Sequence, residues 1–85
     1  MYYIYVLLSK YDKKFYTGAT SNLKRRVQEH NNGLIPSTSK RRPLKLIYYE
    51  ACISKKDAFR REKYLKTGMG KRYLRNRLKS SLEKL

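Results

Sequence analysis

The chain has 85 residues, of which 22 are Lys or Arg and six are Asp or Glu, for a net charge of +16. That length allows one domain with a modest core, and a hydrophobic content of 40% excludes a disordered polyelectrolyte. The charge selects a polyanion, nucleic acid first and an anionic membrane surface or acidic protein behind it, while the single Cys52 excludes an intrachain disulfide and a cysteine-based zinc centre.

Residues 2–8, Tyr-Tyr-Ile-Tyr-Val-Leu-Leu, are rich in β-branched and aromatic side chains and predict a strand. This is also the longest apolar run. It falls far short of the roughly 20 residues that span a membrane, and no basic segment precedes it as in a secretion signal, so the chain reads as cytoplasmic with no membrane association. A polar turn at Ser9–Lys13 leads to a second strand at Lys14–Ala19, close enough to form a hairpin. Ser21 or Asn22 caps a helix running to about Asn31, with Leu23 and Val27 one turn apart on its inner face. Asn32-Gly33 ends that helix. Residues 32–43 carry two prolines, several hydroxyls and three consecutive bases, and read as a long, functional loop.

A third strand is expected at Leu44–Ala51. Its apolar run is so continuous that either both faces are covered or the alternation is imperfect. Ser54, with Asp57 three residues on, resembles a capping box for a helix over 54–67. Gly68-Met69-Gly70 is expected to break it, and a last helix from about Lys71 to Lys84 carries Leu74, Leu78 and Leu82 on one stripe. The order β-β-α-β-α-α, opening on a hairpin, predicts a single α/β (α+β) domain over 1–85. Its small three-stranded, mainly antiparallel sheet would be flanked by helices.

The chemistry centres on Glu62. On the 54–67 helix, Ala58, Glu62 and Leu65 share one stripe with Phe59 beside them, while the neighbouring bases lie mostly on other faces. A carboxylate on an inward stripe loses hydration unless a cation, a donor or a metal ion compensates it. Pattern alone leaves two readings: a site carboxylate, or a partly solvated Glu paired with a nearby Lys or Arg. Arg26 and His30, four apart, share a face of the first helix. Tyr5 and Tyr16 lie on strands that hairpin pairing can bring together, and Gly18 leaves room for a backbone or a phosphate to approach. The nine tyrosines suit pleated, half-buried surfaces and can also stack on bases.

Taken in order, Tyr3-Ile4-Tyr5, Tyr16-Thr17-Gly18, Asn22-Leu23 with Arg26 and His30, then Ala58 to Glu62 and Lys66 resemble the GIY-YIG nuclease superfamily. The resemblance spans nearly the whole chain. It is greatest to the small stand-alone bacterial members related to the N-terminal nuclease domain of the nucleotide-excision-repair endonuclease. It implies a metal-dependent endonuclease acting on nucleic acid, DNA ahead of RNA, with a GIY-YIG fold. Glu62 matches the family's metal-binding glutamate, for Mg²⁺ or Mn²⁺, and Arg26 the arginine that holds the scissile phosphate. Tyr16 matches the proposed general base or water-orienting group, and Tyr5 and His30 the positions framing water and phosphate. Tyr3 replaces Gly in the first motif and Thr17 replaces Ile in the second. Ala19 stands where the repair enzyme's domain resembles Gly-Lys, so a phosphate contact there is absent or comes from Lys13, Lys14 or Lys24.

Gly18, Lys24, Arg25, Lys40, Arg41, Arg42 and Lys66 are the expected nucleic-acid contacts, and the 11 bases between 55 and 79 suit a nonspecific phosphate track. Nothing in the chain resembles a specificity module, so its activity is expected to be structure-directed, weak or dependent on a protein partner that supplies specificity, and the chain itself is expected to be a monomer. The alternative is a non-catalytic, basic nucleic-acid-binding module that uses the nuclease fold as scaffold. It accounts for the charge but leaves Glu62 unexplained.

Overall fold

Strand β1 (Tyr2–Ser9) is the centre of the sheet. In the computed structural model, which describes residues 1–85, β2 (Phe15–Thr20) and β3 (Leu44–Cys52) flank it in the order β2-β1-β3. Both pairings are antiparallel, with Tyr5 opposite Gly18 on one side and Tyr49 on the other. Both outer strands leave an open edge.

The alternation of β1 splits the core in two. Ile4 and Val6 point to one face, where they meet Ala58, Leu65, Leu74 and Leu78 from the helices. Tyr5 and Leu7 point to the other, with Leu44 and, more openly, Tyr16, Leu23, Val27 and Leu46. Helix α1 (Leu23–Asn31) therefore covers the Tyr5 face, and α2 (Lys55–Leu65) and α3 (Gly68–Arg77) cover the other, followed by a short α4 (Lys79–Glu83). Of the two readings of the third strand, imperfect alternation is the one realised. Helices lie on both sides of it, but only Leu44 is fully buried and Tyr49 is exposed, and a register shift between Val6 and Leu7 breaks the alternation of β3. That irregularity lets Leu44 and Leu46 join one core while Ile47 and Tyr48 join the other.

Helix starts follow local hydrogen bonding. Asn22 Oδ1 accepts from the Arg25 amide at 3.1 Å, and Ser54 Oγ from the Asp57 amide at 3.4 Å. The expected break at Gly68-Met69-Gly70 is a correction: these residues form the first turn of α3, capped by Thr67, whose hydroxyl accepts from the Gly70 amide at 3.1 Å. Gly70 serves packing instead. A Cβ built there would lie 2.5 Å from Leu65 Cα, so its absence lets α3 close directly on the end of α2. The last helix divides at Leu78, giving four helices rather than three. Phe59, expected beside the buried stripe, is exposed and lies under the Lys55 ammonium at 5.6 Å.

Side chains fix the long segment between α1 and β3. The Asn31 amide both donates to and accepts from the Leu44 backbone, each at 2.8 Å, tying the end of α1 to the start of β3. Arg41 reaches back to the β1–β2 turn, pairing with Asp12 at 2.6 Å and donating to the Lys14 and Phe15 carbonyls. Buried Ser9 donates to the Arg41 carbonyl at 2.6 Å. On the opposite face Arg61 grips Glu50 with two bonds of 2.9 Å, and its guanidinium lies over the Tyr73 ring at 4.8 Å. That pair ties α2 to both β3 and α3.

Candidate active site

The hairpin register assembles the first two side chains. Tyr5 faces Gly18 and Tyr16 faces Leu7, which places Tyr5 and Tyr16 diagonally on one face with ring centroids 6.5 Å apart. The space Gly18 leaves is filled from inside the protein. A Cβ there would lie 2.5 Å from Tyr5 Cζ and closer still to the hydroxyl, so Tyr5 lies across the glycine. The room that the sequence leaves open to a backbone or a phosphate is thus taken, on the side-chain side, by Tyr5.

His30, in the last turn of α1, completes the cluster from above. Its ring lies 5.6 Å from Tyr5 and 5.0 Å from Tyr16, and it is fully buried. Nε2 lies 2.8 Å from the Tyr5 hydroxyl and Nδ1 2.7 Å from Thr38 Oγ1. The Thr38 hydroxyl has a second partner in the Ile35 carbonyl at 3.5 Å. A hydroxyl that gives its proton to that carbonyl accepts from His30 Nδ1–H, which leaves Nε2 to accept from Tyr5. The chain then runs Tyr5 to His30 to Thr38 to the backbone, with no buried side-chain polar atom unpaired.

Electrostatics agree with that ordering. Burial lowers the His30 pKa, and the Arg26 charge lowers it further, so the ring stays neutral. Burial pushes the Tyr5 hydroxyl up to about 12. Arg26 pulls against this, while Tyr16 and the Glu62 carboxylate push with it. Tyr5 is thus a protonated phenol that donates. The Tyr5 phenol in turn raises the Arg26 pKa, with burial opposing and Glu29, 3.2 Å from the guanidinium, adding to the rise. Arg26 on α1 is the stronger of the two influences on the Tyr5 hydroxyl, and Glu62 on α2 the weaker. Glu62 is 18% exposed, and its Oε2 is 3.0 Å from the ammonium of Lys66. Glu62 thus lies on the inward stripe, partly solvated and paired with a Lys, as the plainer of its two readings has it.

A profile of the GIY-YIG catalytic domain matches residues 1–79. The chain belongs to the GIY-YIG family. It is 45% identical over 67 residues to a UPF0213 protein of Clostridium perfringens, covering 78% of this chain and 71% of that one. A UPF0213 protein of Limosilactobacillus reuteri is 47% identical over 68 residues, covering 76% and 70%. The solution NMR structure of a UPF0213 protein from Bacillus halodurans superposes with a TM-score of 0.54 at 35% identity, covering 87% of this chain and 82% of that one. The fold is therefore the GIY-YIG fold, and the family is a nuclease superfamily.

The other predicted contacts of this GIY-YIG chain are scattered. Lys24 is exposed on the far flank of α1, and Arg25 lies 3.8 Å from Glu29. Lys40 and Arg42 line a shallow polar groove with Asn31, Ser39 and Pro43. The Arg42 guanidinium packs on Gly33, whose φ of +78° ends α1 as expected. Arg41 is committed to Asp12 rather than to solvent. Thr38 was missed from sequence. Only the run of hydroxyls in the 32–43 loop hinted at it, and nothing in that run singles out which hydroxyl turns inward.

Proposed function

We propose that this chain is a metal-dependent endonuclease that hydrolyses phosphodiester bonds in nucleic acid, DNA ahead of RNA. One observation carries the reading. A buried Tyr5–His30–Thr38 hydrogen-bonded chain holds Tyr5 beside Tyr16, near enough to Arg26 and Glu62 for both charges to bear on its phenol. A scaffold that only binds nucleic acid has no use for a carboxylate there, where its charge repels phosphate.

No group of three or more His, Cys, Asp or Glu side chains clusters in the structure. One carboxylate suits Mg²⁺ or Mn²⁺, hard ions that keep most of their waters and take phosphate oxygens as further ligands. Glu62 would hold the ion, which when bound neutralises charge building on the phosphate and the leaving oxygen. The planar fork of Arg26 would hold the scissile phosphate. Tyr16, less buried than Tyr5, would orient the attacking water. Tyr5, whose proton points to His30, would present its oxygen lone pairs to the site. His30 is a positioning residue on this reading, because it acts through Tyr5 and does not reach the surface. Water attack breaks one P–O bond and forms another, with no covalent enzyme intermediate.

The charge of +16 would bring the substrate in, with a protein partner supplying specificity. The test is incubation with supercoiled plasmid and with flap, branched and single-stranded oligonucleotides in Mg²⁺, Mn²⁺ or EDTA. Nicking in metal that stops in EDTA supports the reading. Tight, salt-sensitive binding with no cleavage of any substrate would instead establish a coating module.

A further inference from the structure

A cleft opens between α1 and strands β1 and β3, on the same face of the sheet as Tyr5. Arg26 and His30 share one flank. Gln28 and Asn31 share the other, which the Asn31 bonds to Leu44 hold over β3. The cleft between that flank and the sheet has a volume of about 630 Å³ and is walled by Tyr3 and Tyr49 from the strands and Leu23 and Val27 from the helix. Tyr49 is 53% exposed, and its ring meets Tyr3 edge-on with centroids 6.1 Å apart. Asn22, Lys24 and Gln28 form the rim. Asn22 gives its side-chain oxygen to the helix cap, which leaves its NH₂ group to face a ligand.

Size, lining and charge choose the occupant. The volume lies within the range of roughly 300–1,000 Å³ usual for small-ligand sites, and is far too small for a duplex or a helix. The walls are aromatic and aliphatic, the rim carries two amides, and Lys24 is the only charge lining the cleft. An apolar peptide would leave the amides and the ammonium unused. A nucleotide uses all three elements: its base has a face for Tyr49 and edges for Asn22 and Gln28, and its phosphate suits Lys24.

We propose that this cleft binds one unpaired nucleobase, so that the substrate is single-stranded at that nucleotide. The proposal takes its ligand class from the nuclease reading above and adds the substrate's state. A base stacked and paired in duplex cannot enter, because both its faces and its pairing edge are already occupied. The cleft, which Tyr49 on β3 lines, is separated from Tyr16 on β2 by strand β1, two strand spacings or about 10 Å. The base it holds is thus displaced from the scissile bond rather than part of it.

The test is fluorescence anisotropy in EDTA with one labelled oligonucleotide, presented single-stranded and as a blunt duplex, to wild type, Tyr49→Ala and Tyr49→Phe. Tyr49→Ala should weaken single-strand binding about 5- to 150-fold, the loss of one base–aromatic stack, and leave duplex affinity unchanged. Tyr49→Phe should keep single-strand affinity. Equal losses on both substrates, or none on the single strand, would overturn the proposal, whether a protein, a second copy or nothing fills the cleft. Because Tyr49 is half exposed, circular dichroism should read the same for all three proteins. The assay measures binding alone, so a wild type that never cleaves in metal would sink the nuclease reading and leave this result standing.

Discussion

Thr38→Val removes one hydroxyl from the buried chain behind Tyr5 while nearly preserving shape. His30 and Thr38 are both fully buried, and the bond between them is 2.7 Å. Valine leaves His30 Nδ1–H with no partner where water does not reach, at a cost of about 1–3 kcal/mol. A domain of this size loses roughly 4–8 °C of Tm per kcal/mol, so thermal unfolding followed by circular dichroism should move down by at least ~4 °C. Thr38→Ser keeps the hydroxyl and gives up only a methyl group, about 0.8 kcal/mol. A second readout is independent of stability. Nitrogen NMR of the His30 ring should find the proton on Nδ1, since Nε2 accepts from Tyr5. Thr38→Val within about 0.5 kcal/mol of wild type, the range of an ordinary surface substitution, would refute the hydrogen-bond chain. So would a wild-type ring protonated on Nε2.

Gly18→Ala drives a methyl group into the Tyr5 ring and should cost about 1–3 kcal/mol, with Tyr5→Leu largely suppressing the loss; additive effects in a double-mutant cycle would contradict the packing. Arg41 holds the Asp12 carboxyl down at about 2, so the pair's stabilisation is complete above about pH 4 and is lost as pH falls towards 2. Urea midpoints over that window should show an acid-sensitive limb in wild type that is smaller in Arg41→Met, with the part due to Glu50 and Arg61 remaining. His30, with its folded pKa below the unfolded value of about 6.5, should make stability fall as pH drops below about 6.5, a slope that His30→Gln abolishes. Lys66→Met frees Glu62 of its cation and should raise Mg²⁺ affinity up to ~5-fold, the value of a partly exposed pair, by calorimetry without nucleic acid.

The parts of the fold legible in sequence were those set by local chemistry. The β-branched and aromatic run at 2–8, the Asn22 and Ser54 caps and the Leu74/Leu78 stripe all lie where their own neighbours put them. The Tyr5–Tyr16 encounter was legible because a tight hairpin leaves few registers. What stayed hidden depends on distant partners. Gly68-Met69-Gly70 reads as a helix break by propensity, yet Gly70 is there to admit the end of α2, and propensity gives way to packing. Arg41 reads as one base among three until Asp12, 29 residues earlier, is seen to receive it. Gly18 reads as room for a ligand, but the register turns the Tyr5 ring into that room. Thr38 differs from the other hydroxyls in its loop only because His30, eight residues before it, turns inward.

The most direct test of the central claim is single-turnover cleavage of an end-labelled oligonucleotide across a Mg²⁺ titration, for wild type and Glu62→Gln, with binding measured on the same substrate in EDTA. The account predicts metal-dependent cleavage by wild type. It also predicts loss of that cleavage in Glu62→Gln by at least ~100-fold, the scale of removing one charge-stabilising group, with binding kept. Cleavage at wild-type rate in Glu62→Gln would contradict it, as would a wild type that binds tightly and cuts nothing at any metal concentration.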